Sequence, residues 1–202
     1  VKFNDIGLYN KVYGDGNHGE YGVYAPRVAG LDISGVRLEN VKRAFKSTNI
    51  YQSRIKDFVG IANQTAGFVN EGVLAFEISD NFAGATGTSN FFDNLLFVNY
   101  QHAYNVENLQ TSTFLKCYGE QIHAANGTQD SINFRFLNPL NITLISCGQE
   151  QTRCTPIYIQ SDNTMPARSS NSIDGFQAIW GTMGASANLG LNLMTVIGPV
   201  DV

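Results

Sequence analysis

Apolar residues recur along this chain at the spacing of strands, and the spacing breaks at repeated places. In Ser53–Ile55–Phe58, Ser112–Phe114–Cys117 and Ile142–Leu144–Cys147 the inward positions step by two and then by three. Strand side chains alternate between faces with period two. A step of three therefore predicts a corner between the second and third inward residues.

These segments belong to a longer self-match. Leu38 to Gly60 aligns without a gap on Phe97 to Gly119 at an offset of 59, with identities at Asn40/Asn99, Ala44/Ala103, Asn49/Asn108, Ser53/Ser112 and Gly60/Gly119. Apolar positions agree as well: Phe45 with Tyr104, Ile50 with Leu109, Ile55 with Phe114 and Phe58 with Cys117. The third strand returns once more at 141–148, where Ile142, Leu144 and Cys147 repeat Ser112, Phe114 and Cys117. Internal repeats of this length mark solenoids. Stacked parallel strands lie about 4.8 Å apart, so copies form columns. Phe45 with Tyr104, and Ile55 with Phe114 and Leu144, would fill the interior. Asn40 with Asn99, and Asn49 with Asn108, would bond along the stack at turns. Copies 59 apart are two coils apart, with a poorly matching coil at 61–89 between them. In that coil Val73–Ile78 reads as a strand and 83–89 as a loop.

The expected fold is all-β: a parallel β-solenoid. Its coils are expected to hold about 25–30 residues each, within the range of known repeat units. Residues 1–30, dense in Gly, Asn and Tyr, read as a loop-rich lead-in with a short strand at 21–24. Residues 31–160 hold the coils. Residues 161–202 form a last coil or a transition to a further β region, where the period is lost. Val36–Phe45 also fits a short amphipathic helix, but its copy Leu95–Tyr104 is full of β formers and Asn.

Charge and cysteine content remove several classes. Charged residues make up 15% of the 202, net charge is −4, and there is no basic stripe, so nucleic acid is not an expected partner. No apolar run reaches the roughly 18 residues a membrane span needs. The chain shows neither an initiator Met nor a signal pattern, and it stops after an apolar run, so it reads as a fragment of a longer chain. Cys117, Cys147 and Cys154 show no CxxC or Cys/His zinc spacing. They read as small buried thiols, consistent with assembly in a reducing cytosol. No metal and no cofactor is expected.

Irregular coils, Asn-rich corners and a strand end of the form Asn141-Ile-Thr-Leu-Ile-Ser-Cys-Gly-x-Glu150 resemble the right-handed parallel β-helix of the pectate-lyase-like superfamily. Within it, Leu31 to Gln160 looks most like bacteriophage tailspikes and receptor-binding depolymerases. The Ca²⁺-binding Asp cluster of pectate lyases and the Asp-Asp pair of polygalacturonases are not visible. The resemblance implies a homotrimer on a virion tail, joined to other virion tail proteins. It also implies binding, and often cleavage, of a bacterial surface polysaccharide (capsule or O-antigen), in a groove along one helix or between subunits.

Such endoglycosidases use paired carboxylates. Glu120 and Glu150 each follow a copied Cys by three residues, so both should reach the same outer edge on successive coils. Their separation would fall near that of a retaining pair, or in the inverting range of about 6.5–9.5 Å if the side chains splay. Close like charges raise one pKa and so supply an acid and a base. Gln121 and His123 lie near enough in sequence to bind sugar hydroxyls. Tyr118 and Trp180 offer rings for sugar faces. The plainer readings stay open: solvated glutamates after a strand, and a Trp buried beside Ala178 and Ile179. Asp93, Glu107 and Asp130 read as turn residues, and Asp57 with Lys116 as a pair across coils. No GxSxG motif appears, and His102 is expected on the outer face. Two other functions stand beside the tailspike segment. One is a purely structural stalk with activity elsewhere in the chain. The other is a secreted or cell-surface bacterial polysaccharide lyase or adhesin.

Overall fold

The computed structural model describes residues 2–4, 7–9, 19–62, 64–65, 69–70, 72–79, 87–123, 131–152, 154–161, 171–180 and 194–197. Among the described residues there are strands and turns but no helix, and so no helix long and apolar enough to cross a membrane. Nineteen strands join one sheet whose pairings are all parallel, and Gln64–Thr65 pairs antiparallel with Val69–Asn70 as a separate hairpin.

The pairing register winds this sheet into a solenoid. A first face stacks residues 2–4, 32–34, 54–56, 91–93, 113–115, 143–145 and 172–174. A second face stacks 7–9, 37–39, 59–61, 96–98, 118–120, 148–149 and 177–178. A third stacks 23–25, 45–47, 76–78, 104–106, 134–136, 157–159 and 194–196. A short fourth segment, at 28–29, 50–51, 87–88 and 109–110, leads back to the first face. Strands of 2–29 and of 172–197 thus carry the stack through both flanking segments.

Turn length is less even than the sequence suggests. At the entry to the first face the chain advances by 22 from Leu31 to Ser53, by 37 from Ser53 to Asn90 and by 22 again from Asn90 to Ser112. These steps fall on either side of the expected coil length. Two later steps meet it, at 30 from Asn108 to Asn138 and 29 from Ile142 to Asn171, while the third face advances by 23 from Phe134 to Ile157 and by 37 from Ile157 to Met194. The repeat offset of 59 is one step of 37 followed by one of 22. Leu31 to Gly60 therefore exceeds one turn, because Asp32 already pairs with Arg54.

The difference arises at two corners, from the second face to the third and, between Ile78 and Gly87, from the third face to the fourth segment. In the short turns a single residue, Asn40 or Asn99, carries the chain from the second to the third face, at φ 57° and 64°. Four longer turns add chain at that same corner: between Tyr9 and Gly19, Ile61 and Gly72, Glu120 and Ile132, and Trp180 and Met194. Stacking also continues beyond 156, where the sequence pattern fades.

The predicted corner between second and third inward residues is present. Gly35, Asp57, Asn94, Lys116, Ser146 and Gly175 stack there, all with φ between 50° and 67°. The left-handed region costs an ordinary L-residue roughly 1–2 kcal/mol, least for Gly, Asn and Asp. Asn94 Nδ2 donates to Asp57 Oδ1 at 2.8 Å, which together with Lys56 at 3.5 Å holds the Asp57 carboxyl below its ordinary range. Asn94 occupies the place between Asp57 and Lys116, so the expected pair across coils is not made. Asn49 lies inside the strand Val41–Tyr51, while Asn108 is a true corner and accepts from Asn138 Nδ2 at 3.0 Å.

Inside, the expected columns gain the members that the long turn supplies. Phe45, Phe76, Tyr104 and Phe134 stack with successive ring centroids 4.9, 5.9 and 4.3 Å apart. Ile55, Phe92, Phe114 and Leu144 form the neighbouring column. At the corner entering the first face runs a polar column of Ser53, Asn90 and Ser112, all buried. The three thiols are free and buried, and burial pushes those of Cys117 and Cys154 up.

Candidate functional site

The second face carries the candidate site. Its strands alternate strictly: Cys117 and Gly119 point inward, Tyr118 and Glu120 outward. The next rung repeats this with Cys147, Gly148, Gln149 and Glu150. Glu120 is the register partner of Glu150, and Tyr118 of Gly148. The two carboxylates thus leave adjacent rungs at one position, with backbones about 4.8 Å apart.

Gly148 has a local reason. A Cβ there would come within 2.9 Å of Tyr118 Cε1, so the Tyr118 ring leans across the glycine of the next rung. Behind the face, Gly119 leaves space for Asn133, whose Nδ2 donates to the Gly148 carbonyl at 2.9 Å. Gln149 is buried and its Oε1 accepts from the Cys154 thiol at 3.3 Å. Sequence reading missed these supporting residues. The signal was the Gly119/Gly148 pair, which stands at inward and outward positions where neighbouring turns carry side chains.

Glu120 is half-buried and Glu150 exposed. Partial desolvation, and secondly the Glu150 charge, hold the Glu120 carboxyl above its ordinary range. The folded chain therefore binds more protons than the unfolded chain between the ordinary glutamate pKa and the raised one. Stability falls as pH rises through that window and stays lower above it. Glu120→Gln is expected to remove this slope and to raise Tm at neutral pH. Thermal melts across the acidic to neutral range check it, and an unchanged slope in the variant would place the titration elsewhere.

The other candidates are placed less uniformly. Gln121 follows Glu120 at the corner, with φ 52°, and its N–H donates to the Glu150 carbonyl at 3.0 Å. His123 is buried: its Nδ1 lies 2.9 Å from the Gln121 carbonyl oxygen, and its N–H donates to the Tyr100 carbonyl at 3.2 Å. Trp180 ends the strand Gln177–Trp180 opposite Thr152; its side chain lies outside the described residues. The structure thus brings together Tyr118, Glu120, Gln121 and Glu150, and turns His123 inward beside them.

No family model, curated protein or solved structure matches this chain.

The remaining acids stand apart from the pair. Glu77 on the third face is clamped by Arg43 at 2.9 Å and Lys46 at 3.1 Å. Glu107 lies 3.7 Å from Arg135, and Asp93 faces outward from the first face. Asp130 and His18 lie outside the described residues. His102, half-exposed on the third face, accepts the Ile132 N–H on Nδ1 at 3.2 Å. Among the described residues no three His, Cys, Asp or Glu side chains gather as a metal site. An apolar crevice under Phe136, Pro139, Ile142, Leu144 and Ile159 measures about 10 Å³, room for a water and not for a sugar.

Proposed function

We propose that this chain is part of a right-handed parallel β-helix of the pectate-lyase-like kind. It works as one subunit of a trimeric phage tailspike or tail fibre that engages bacterial surface polysaccharide. One observation carries the reading: Glu120 stacks directly on Glu150, at the outer edge of one face, beside the Tyr118 ring. Two further features support it. Partial desolvation, and secondly the Glu150 charge, hold the Glu120 carboxyl above its ordinary range, the direction a general acid needs. The added chain of four turns enters at the edge next to this face, and in repeat folds such insertions often gather on the binding side.

In this reading Tyr118 stacks on the apolar face of a sugar ring. Glu120 protonates the glycosidic oxygen. Glu150 acts as nucleophile or activates a water, according to how far the carboxyl groups splay. Gln121 sits where it can reach a ring hydroxyl. The test is capsule or O-antigen binding and depolymerisation by the intact assembly. Glu120→Gln is expected to lower cleavage by about 10²–10⁴-fold while binding persists. Binding with no cleavage in either form leaves a receptor-binding spike. Absence of polysaccharide binding sinks the reading and leaves a rigid stalk.

A further inference from the structure

The geometry points to an uncharged hexose chain, laid along the solenoid axis on the second face, as the ligand of this site. The inference rests on the polysaccharide reading above and narrows it to one class of glycan. Two outward columns run up this face. One is Arg37, Val59, Leu96, Tyr118 and Gly148; the other is Glu39, Ile61, Val98, Glu120 and Glu150.

Arg37 and Glu39 neutralise each other at 2.7 Å at the lower end. Above them the floor is aliphatic and half-exposed at Val59, Ile61, Leu96 and Val98. It then meets the Tyr118 ring and, beside it, the stacked glutamates. A hexose repeat is comparable in length to the rung spacing, so successive sugars would place C–H faces on successive rungs. From Val59 to Glu150 the strip spans three rung steps, about 14 Å.

Charge decides between glycan classes. Residues 1–62 carry nine Lys or Arg against six Asp or Glu, whereas residues 63–202 carry four against eleven. Among the described residues, these two columns offer no unpaired cation to a uronate or sialate. Lys116, the nearest in sequence, sits at the exposed corner toward the first face. An anionic chain would set its carboxylates against two stacked glutamates, and like charges across an interface disfavour the complex. A neutral chain meets no such opposition, and its hydroxyls can donate to the same carboxylates.

The test uses an array of matched oligosaccharides with the intact assembly, at low and at physiological ionic strength. Uncharged hexose and N-acetylhexosamine oligomers are set against oligogalacturonate and oligosialate. Uncharged oligomers are expected to bind at least about tenfold more tightly at low salt, with the gap narrowing as salt screens the glutamates. Leu96→Ser should weaken uncharged binding about tenfold with Tm retained. Ile145→Ser, at a half-exposed outward position of the first face, should change it less than about twofold. Equal or tighter anionic binding overturns the ligand class and leaves the polysaccharide reading standing. Binding that ignores both substitutions, or responds equally to both, overturns the placement on the second face. If neither class binds, this inference and the parent reading fail together.

Discussion

Replacing Tyr104 by alanine is expected to destabilise the chain by about 3–5 kcal/mol. Tyr104 is fully buried in the central aromatic column. Its ring stacks on Phe134 at 4.3 Å with an interplanar angle of 1°, and meets Phe97 edge-on at 5.2 Å. A solenoid buries each rung only against its neighbours, so a hole here unsupports the rungs on both sides. The hydroxyl adds a separate contribution. It lies 3.0 Å from the Leu95 carbonyl and 3.1 Å from that of Tyr118, two acceptors on different rungs. Burial holds its pKa far above the ordinary range, so it remains a donor throughout. Tyr104→Phe keeps the ring and removes this donor, and should cost about 1–3 kcal/mol. Urea titration of both variants separates ring from hydroxyl. Equal losses would mean that the stack itself contributes nothing.

Much of this architecture was legible in the chain. The step of two then three correctly located the left-handed corner, because two residues then separate the inward positions, one facing outward and one left to turn. That corner is Asp57, Lys116 and Ser146 in the three copied strands. The stacking of Glu120 on Glu150 followed from the same copies, since equal distance from an inward Cys fixes equal height and direction.

What escaped the sequence escaped for a physical reason. A solenoid constrains only the residues that stack, and leaves the corners free to lengthen. The turn containing Phe76 and Phe92 carries added chain at two corners, so its core residues fall out of register with both neighbours in sequence while staying in register in space. The short turn was hidden inside the longer repeat for that reason. His123 was misjudged in a different way. Proximity to Glu120 suggested a ligand contact, but Gln121 turns the chain, and Ile122 and His123 enter the interior beyond it.

Asn90 is the residue whose importance this hidden turn concealed, and Asn90→Ala is expected to cost about 2–4 kcal/mol through buried groups left unpaired. The chain arrives at the first face through left-handed residues at Gln52, Ser89 and Thr111. The N–H of the next residue then points along the axis, where the following rung supplies a side-chain oxygen. Leu31 donates to Ser53 Oγ at 3.0 Å, Ser53 to Asn90 Oδ1 at 3.0 Å, and Asn90 to Ser112 Oγ at 3.2 Å. Higher in the stack, Ile142 donates to Asn171 Oδ1 at 2.9 Å. Asn90 does two jobs in this ladder, because its Nδ2 also donates to the Ile50 carbonyl at 3.1 Å. Alanine would leave the Ser53 N–H and the Ile50 carbonyl without these partners in a closed interior. Asn90→Ser should recover part of the loss, since serine fills the same role one rung below and one rung above. It cannot replace the amide donor, so recovery should be incomplete. Chemical denaturation of the wild type and both variants gives the order: wild type, then serine, then alanine. A loss below about 0.5 kcal/mol for alanine, the range of an ordinary surface change, would show that the ladder is not what holds this corner.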